Sequence, residues 1–96
     1  MKVDQLFNEQ NEEIQFDSGE IKVKNDDPEN WEVKIYGVEN QRFFMEGLRD
    51  NRKEHLTFET NKGTMNGIVD IETFDSASEE NVVTMKGTST LNGYKQ

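Results

Sequence analysis

The sequence predicts a mainly β fold of the α+β class, a small antiparallel sandwich or partly open barrel of about six strands with one short helix near residues 40–51. Three observations carry this. Apolar and polar residues alternate almost without interruption from His55 to Leu91, which is the period of a half-buried strand. The breaks in that alternation hold Asn, Asp, Ser and Gly, the residues of tight turns. Between residues 38 and 53 the apolar spacing changes to that of a helix.

Residues 3–10 read as a short helix, because Val3, Leu6 and Phe7 fall at i, i+3 and i+4 and Asp4 sits near its positive end. Eight residues do not hold a helix alone, so this one docks or frays. Residues 13–16 and 20–24 read as a hairpin about Asp17-Ser18-Gly19. The following NDDPEN is a loop. Residues 31–37 form a strand with Trp31, Val33 and Ile35 on one side, of which Val33 and Ile35 are expected to be buried. In the 38–53 segment Asn40 is placed as an N-cap, with Phe44 and Leu48 stacked at i, i+4. Arg42, Glu46, Arg49 and Lys53 would line its outer face. Gly47 weakens this helix by up to ~1 kcal/mol relative to Ala, but the strand reading alternates less cleanly.

The C-terminal half is a meander. Leu56 and Phe58 share one face of the first strand. Gly63 supplies the positive φ for a hairpin with a bulge. Met65, Gly67, Val69 and Ile71 form the core face of the second strand, since Asp70 and Glu72 on the other face, with Ile68 and Phe74, need water. Gly67 suggests a bulge or a close backbone approach, and Gly87 a second bulge. Residues 75–81 form a loop, and Val83 and Met85 face one way in the last strand.

Ninety-six residues make one domain. Hydrophobic content of 31% against 32% charged gives a thin core, and a chain of this size buries only about two-thirds of its surface. Stability is expected to be modest, so an oligomer or a protein partner fits. The chain has no cysteine, which removes disulfides and thiolate metal sites. MKVDQLFNEQNEE has no apolar segment of the signal-peptide kind, and no run approaches a membrane span. The expectation is a soluble protein, cytoplasmic or part of a virion assembled in the cytoplasm.

Net charge is −9, with nine acids against three bases in residues 1–30. That disfavours direct binding of nucleic acid and of anionic membranes. His55 is the single histidine and cannot build a typical zinc site. Ser18, Ser76, Ser78 and Ser89 lie in no G-x-S-x-G turn. Asn25, Asp26, Asp27 and Glu29 are oxygen-rich, as calcium prefers, but the EF-hand spacing is missing. No phosphate-binding glycine motif occurs. No enzyme, cofactor or metal is therefore expected. Two charged sets remain as protein-binding candidates: the acids Glu9, Glu12, Glu13, Asp17, Asp26, Asp27 and Glu29, and the bases Arg42, Arg49, Arg52 and Lys53. The bases either pair with Glu46, Asp50 and Glu54 beside them, or meet the acidic third of a second copy. Exposed sheet edges offer another route to assembly.

The run GTMNGIVDIETFDSASEENVVTMKGTSTLNG resembles the long hairpins of bacteriophage tail-tube proteins. The likeness is one of strand-and-turn texture over about a third of the chain, and the chain is short for that family. It implies rings of β-sandwiches with a flanking helix and an often acidic lumen. Two functions follow as expectations. One is a non-enzymatic assembly or protein-binding module, of which a phage-type virion component is one form. The other is a small acidic inhibitor or adaptor, a nucleic-acid mimic that fills the basic groove of a partner.

Overall fold

The computed structural model describes residues 1–76 and 80–94. Six strands and one helix follow in the order β1 (Val3–Phe7), β2 (Ser18–Val23), a single 3-10 turn (Lys24–Asp26), β3 (Trp31–Tyr36), α1 (Gln41–Arg49), β4 (Lys53–Thr60), β5 (Gly63–Asp75) and β6 (Val82–Gly87). They form one antiparallel sheet in the order β1-β4-β5-β6-β3-β2. The sheet curls until its two edge strands meet. Met1 N–H donates to Ile21 C=O at 2.7 Å, Ile21 N–H donates to Met1 C=O at 2.8 Å, and Lys2 faces Glu20. The result is a nearly closed barrel, the second of the two predicted architectures.

Alternation places the core. In β3 Trp31, Val33 and Ile35 are buried, and in β5 Met65, Gly67, Val69 and Ile71 are, as the period requires. Leu56, Phe58, Val83 and Met85 join them in one continuous interior. Trp31 stands in its middle, edge-on to Phe58 with ring centroids 6.1 Å apart. Its indole N–H donates to Ser89 C=O at 2.8 Å, so the buried polar tip is satisfied. Gly67 and Gly87 make room for this ring. A Cβ at Gly67 would lie 2.6 Å from Trp31 Cζ2, and one at Gly87 would overlap the indole. Neither glycine marks a bulge; each is a slot for a side chain from a third strand.

The bulge of β5 lies instead at Glu72, where the register jumps between Ile71 and Thr73. One extra residue reverses inside and outside. Phe74 thus packs against the core opposite Val83, rather than sharing the outer face with Asp70. The same device explains β1. Residues 3–7 are a strand, not the start of a helix, with an irregularity between Val3 and Gln5. That irregularity brings Val3 and Leu6 to the same side, which reproduces the i, i+3 spacing of a helix. The free edge of β4 offers β1 a full set of backbone partners, which an eight-residue helix lacks.

Residues 13–16 are likewise not the arm of a hairpin with 20–24, since Glu13 bridges Phe7 of β1 instead. Ile14 N–H bonds back to Leu6 C=O, and Ile14 is buried. Ser18 and Gly19 lie inside β2, whose hairpin partner is β3. Gly19 without a side chain lets Ile35 and Phe16 close over the strand. The 60–63 hairpin is a two-residue connection with Gly63 at φ +114° and an unbroken register from Lys53 to Thr60. Residues 77–79 of the predicted 75–81 loop, Ser78 among them, lie outside the described residues.

α1 begins where predicted: Asn40 accepts from Phe43 N–H at 3.3 Å. It lies across the end of the barrel with Phe44 fully buried, as a plug, and Gly47 against Ile71. Lys53 is not on its face; it opens β4 and pairs with Asp70.

Candidate functional site

The interior is filled by side chains. Trp31, Phe44, Phe58, Leu6, Ile21 and Ile35 are each under 2% exposed, and no buried polar or charged residue stands among the described ones. Such a barrel is a packed core rather than a ligand cup, so chemistry has to lie on the outside.

The outer wall carries alternating charge. Across five neighbouring strands the register aligns Lys22, Glu32, Lys86, Asp70 and Lys53 in one row. Opposite charges facing across strands stabilise each pair by about 0.2–1 kcal/mol. Lys53 Nζ reaches Asp70 Oδ1 at 3.1 Å. Residues from every third of the chain enter this belt, which spacing in the sequence does not reveal.

The two ends of the barrel differ. β3 runs from one to the other, so the 24–30 turn before it and α1 after it lie at opposite ends. The acidic candidates are divided between them. Glu9, Glu12, Glu13 and Asp17 lie at the α1 end, because β1 runs toward it and β2 starts from it. Asp26, Asp27 and Glu29 lie at the other. Their carboxylates turn toward the protein: Asp27 accepts from Glu29 N–H at 3.0 Å, Asp26 from the Tyr94 hydroxyl at 2.9 Å, and Glu29 from the Thr90 hydroxyl. The bond to Asp26 holds the Tyr94 phenol above its ordinary pKa. Among the described residues no three His, Asp or Glu side chains converge as a metal site.

The basic candidates meet local acids. Arg42 Nε lies 2.7 Å from Glu46, and Arg49 Nε 3.0 Å from Asp50. Arg52 lies 3.8 Å from Glu46, 3.8 Å from Asp50 and 3.9 Å from Glu54. The hydrogen bond from Arg42 holds the Glu46 carboxyl below its usual range, and that from Arg49 does the same for Asp50. Glu54 moves the other way, raised by burial and by the nearby charge of Glu9 against the pull of Arg52. At the same end Glu80 is raised by a hydrogen bond shared with Asp17.

α1 also presents what sequence reading missed. Met45 is 53% exposed and Leu48 37%. Arg42, Met45, Glu46 and Arg49 enclose an open hollow of about 410 Å³. The i, i+3, i+7 spacing of Arg42, Met45 and Arg49 was the available signal. His55 stays on the outer wall, 3.3 Å from Asn66 Oδ1.

No helix among the described residues is long and apolar enough to cross a membrane. No family model matches the chain, and no curated protein does. A crystal structure of a hypothetical protein from Staphylococcus aureus has a similar fold, with a TM-score of 0.73 over 99% of this chain and 71% of that one. The two are 12% identical, and at that distance the likeness concerns the fold alone.

Proposed function

We propose that this protein is a non-enzymatic assembly module that associates head to tail with copies of itself. The observation that carries this reading is the outer face of α1, where Met45 and Leu48 stand exposed between arginines. Residues 41–53 hold four cations and two acids, a net of +2. The 24–30 turn at the opposite end holds one cation and three acids, a net of −2. The basic α1 segment, beside Glu9, Glu12, Glu13 and Asp17 at one end, and the acidic 24–30 turn at the other would make a heterologous contact, which closes into a ring or runs on as a filament. Apolar Met45 would supply contact area, and the flanking charges orientation and speed of encounter. A ring of such copies, assembled in the cytoplasm, is the form a phage-type virion component would take.

Sedimentation velocity over a range of concentration, at low and high salt, tests this. Oligomers that grow with concentration and shrink with salt are expected. Met45→Asp blocks one end and Asp26→Lys with Asp27→Lys the other, so each variant alone is monomeric. Mixed together they form dimers and nothing larger, because one intact contact remains. A chain that stays monomeric at every concentration overturns the self-association reading. Retention of a basic protein on the same chain at low salt then favours the acidic adaptor, whose motivation is the uncompensated charge of −9.

A further inference from the structure

The dipeptide Asn-Gly occurs twice, at Asn66-Gly67 and at Asn92-Gly93, and the fold brings the two asparagines face to face. Asn66 N–H donates to Asn92 C=O at 3.0 Å, and Asn92 N–H donates to Asn66 C=O at 2.8 Å. Asn92 Nδ2 also donates to Asn66 Oδ1 at 3.1 Å. Identical chemistry is therefore held in two different backbone settings.

Asparagine followed by glycine deamidates without an enzyme. The glycine nitrogen attacks the asparagine Cγ, the Cγ–Nδ2 bond breaks, and ammonia leaves. A five-membered imide remains, and water opens it to aspartate or isoaspartate. The step needs a glycine N–H free of other bonds and a backbone that can turn.

Gly67 meets neither condition. Asn66 N–H and Ile68 C=O bond toward residues 88–92, so Gly67 between them faces β4, opposite Leu56 in the ladder. The Trp31 ring packs on its Cα, and the residue is buried. Gly93 meets both. Asn92 and Gly93 are exposed. Gly93 sits in a turn at φ +94°, and its N–H makes no hydrogen bond among the described residues.

We propose that Asn92 is a site of spontaneous deamidation, and that its conversion loosens the C-terminal clasp on the barrel end. The leaving nitrogen donates to Asn66 Oδ1, which His55 Nε2 also approaches at 3.3 Å. The product places a carboxylate, an acceptor, against that carbonyl oxygen, and the bond becomes a repulsion. The adjacent Leu91, 1% exposed and tied to Pro28 C=O at 2.9 Å, covers the interior at this end.

Peptide mass mapping of the full chain, incubated folded and in denaturant at mildly alkaline pH, tests the site. In denaturant both asparagines convert at similar rates. In the folded chain Asn92 converts about tenfold or more faster than Asn66, which must await local opening. Equal rates in the folded chain, or no conversion at Asn92 while the denatured chain turns over, overturn the assignment. Hydrogen exchange of the Asn92→Asp variant tests the clasp. Faster exchange at the Asn66 and Leu91 amides than in the parent is expected, and unchanged protection at both refutes the loosening.

Discussion

One wall of the barrel is continuous and the opposite seam is barely stitched. β4 and β5 pair without a break from Lys53–Asp70 to Thr60–Gly63, β6, β3 and β2 follow in register, and β5 joins β6 across the single bulge at Glu72. β1 and β2 meet through the Met1–Ile21 bonds and the Lys2–Glu20 bridge. The wall also owns the rigid part of the core, Trp31 in its slot between Gly67 and Gly87. A barrel can therefore be closed in shape while most of its cohesion lies on one side. Closure here covers two edges that would otherwise invite pairing, with few bonds of its own.

The largest expected effect attacks the wall. Gly87→Val sets a branched side chain into the indole of Trp31, and the ring has nowhere to go. A loss of about 3 kcal/mol or more is expected in urea unfolding followed by Trp31 fluorescence. Phe44→Ala empties the plug and costs about 3–5 kcal/mol in the same experiment. Asn61→Ala acts on the seam. It removes the side-chain acceptor of Lys2 N–H at 2.9 Å, so β1 frays at its start. A loss of about 1 kcal/mol is expected, together with faster hydrogen exchange at Ile21 than at Leu56 or Val69. Exchange at equal rates in seam and wall would break the comparison.

Gly47→Ala sharpens it from another side. The added Cβ meets Ile71 Cδ1 at 2.5 Å, the end of a flexible chain rather than a rigid ring. The gain in helix propensity of up to ~1 kcal/mol opposes the contact, so a net change within about 1 kcal/mol is expected, against the large loss at Gly87. The smallest effect is electrostatic. The raised Glu54 carboxyl disfavours the folded state once ionised, so its contribution falls as pH rises above the ordinary glutamate range. Glu46 and Asp50, held low, contribute in the opposite sense: their stabilisation is lost as pH falls through their depressed values. Glu54→Gln should flatten the first dependence and leave the second, measured as the urea midpoint against pH.

The proposed contact surface was only half legible. Arg42 and Arg49 stood out as cations in an acidic chain, and Asn40 marked the helix that carries them. Exposure of Met45 could be read only from its i, i+3, i+7 spacing with Arg42 and Arg49, because a methionine on a helix is equally at home inside. Nor did the sequence show that its acidic third is split between two ends of a barrel, since linear neighbours such as Asp17 and Asp26 are separated by the whole length of β2.

Alternation by itself determined that strands run through residues 31–36, 55–60, 64–74 and 82–87 and which side of each is apolar up to Ile71, because side-chain parity is a local property of extended backbone. The Asn40 cap and the Gly63 turn were local too. Tertiary structure decided the rest. Val3, Leu6 and Phe7 suit a helix or a bulged strand equally, and the open edge of β4 selects the strand. Gly67 reads as a bulge or a close backbone approach and Gly87 as a bulge until Trp31, distant in sequence, claims the space above them. The bulge at Glu72 that turns Phe74 inward leaves no mark on the alternation. In each case the deciding partner is far along the chain, and a short window of sequence contains only one half of the contact.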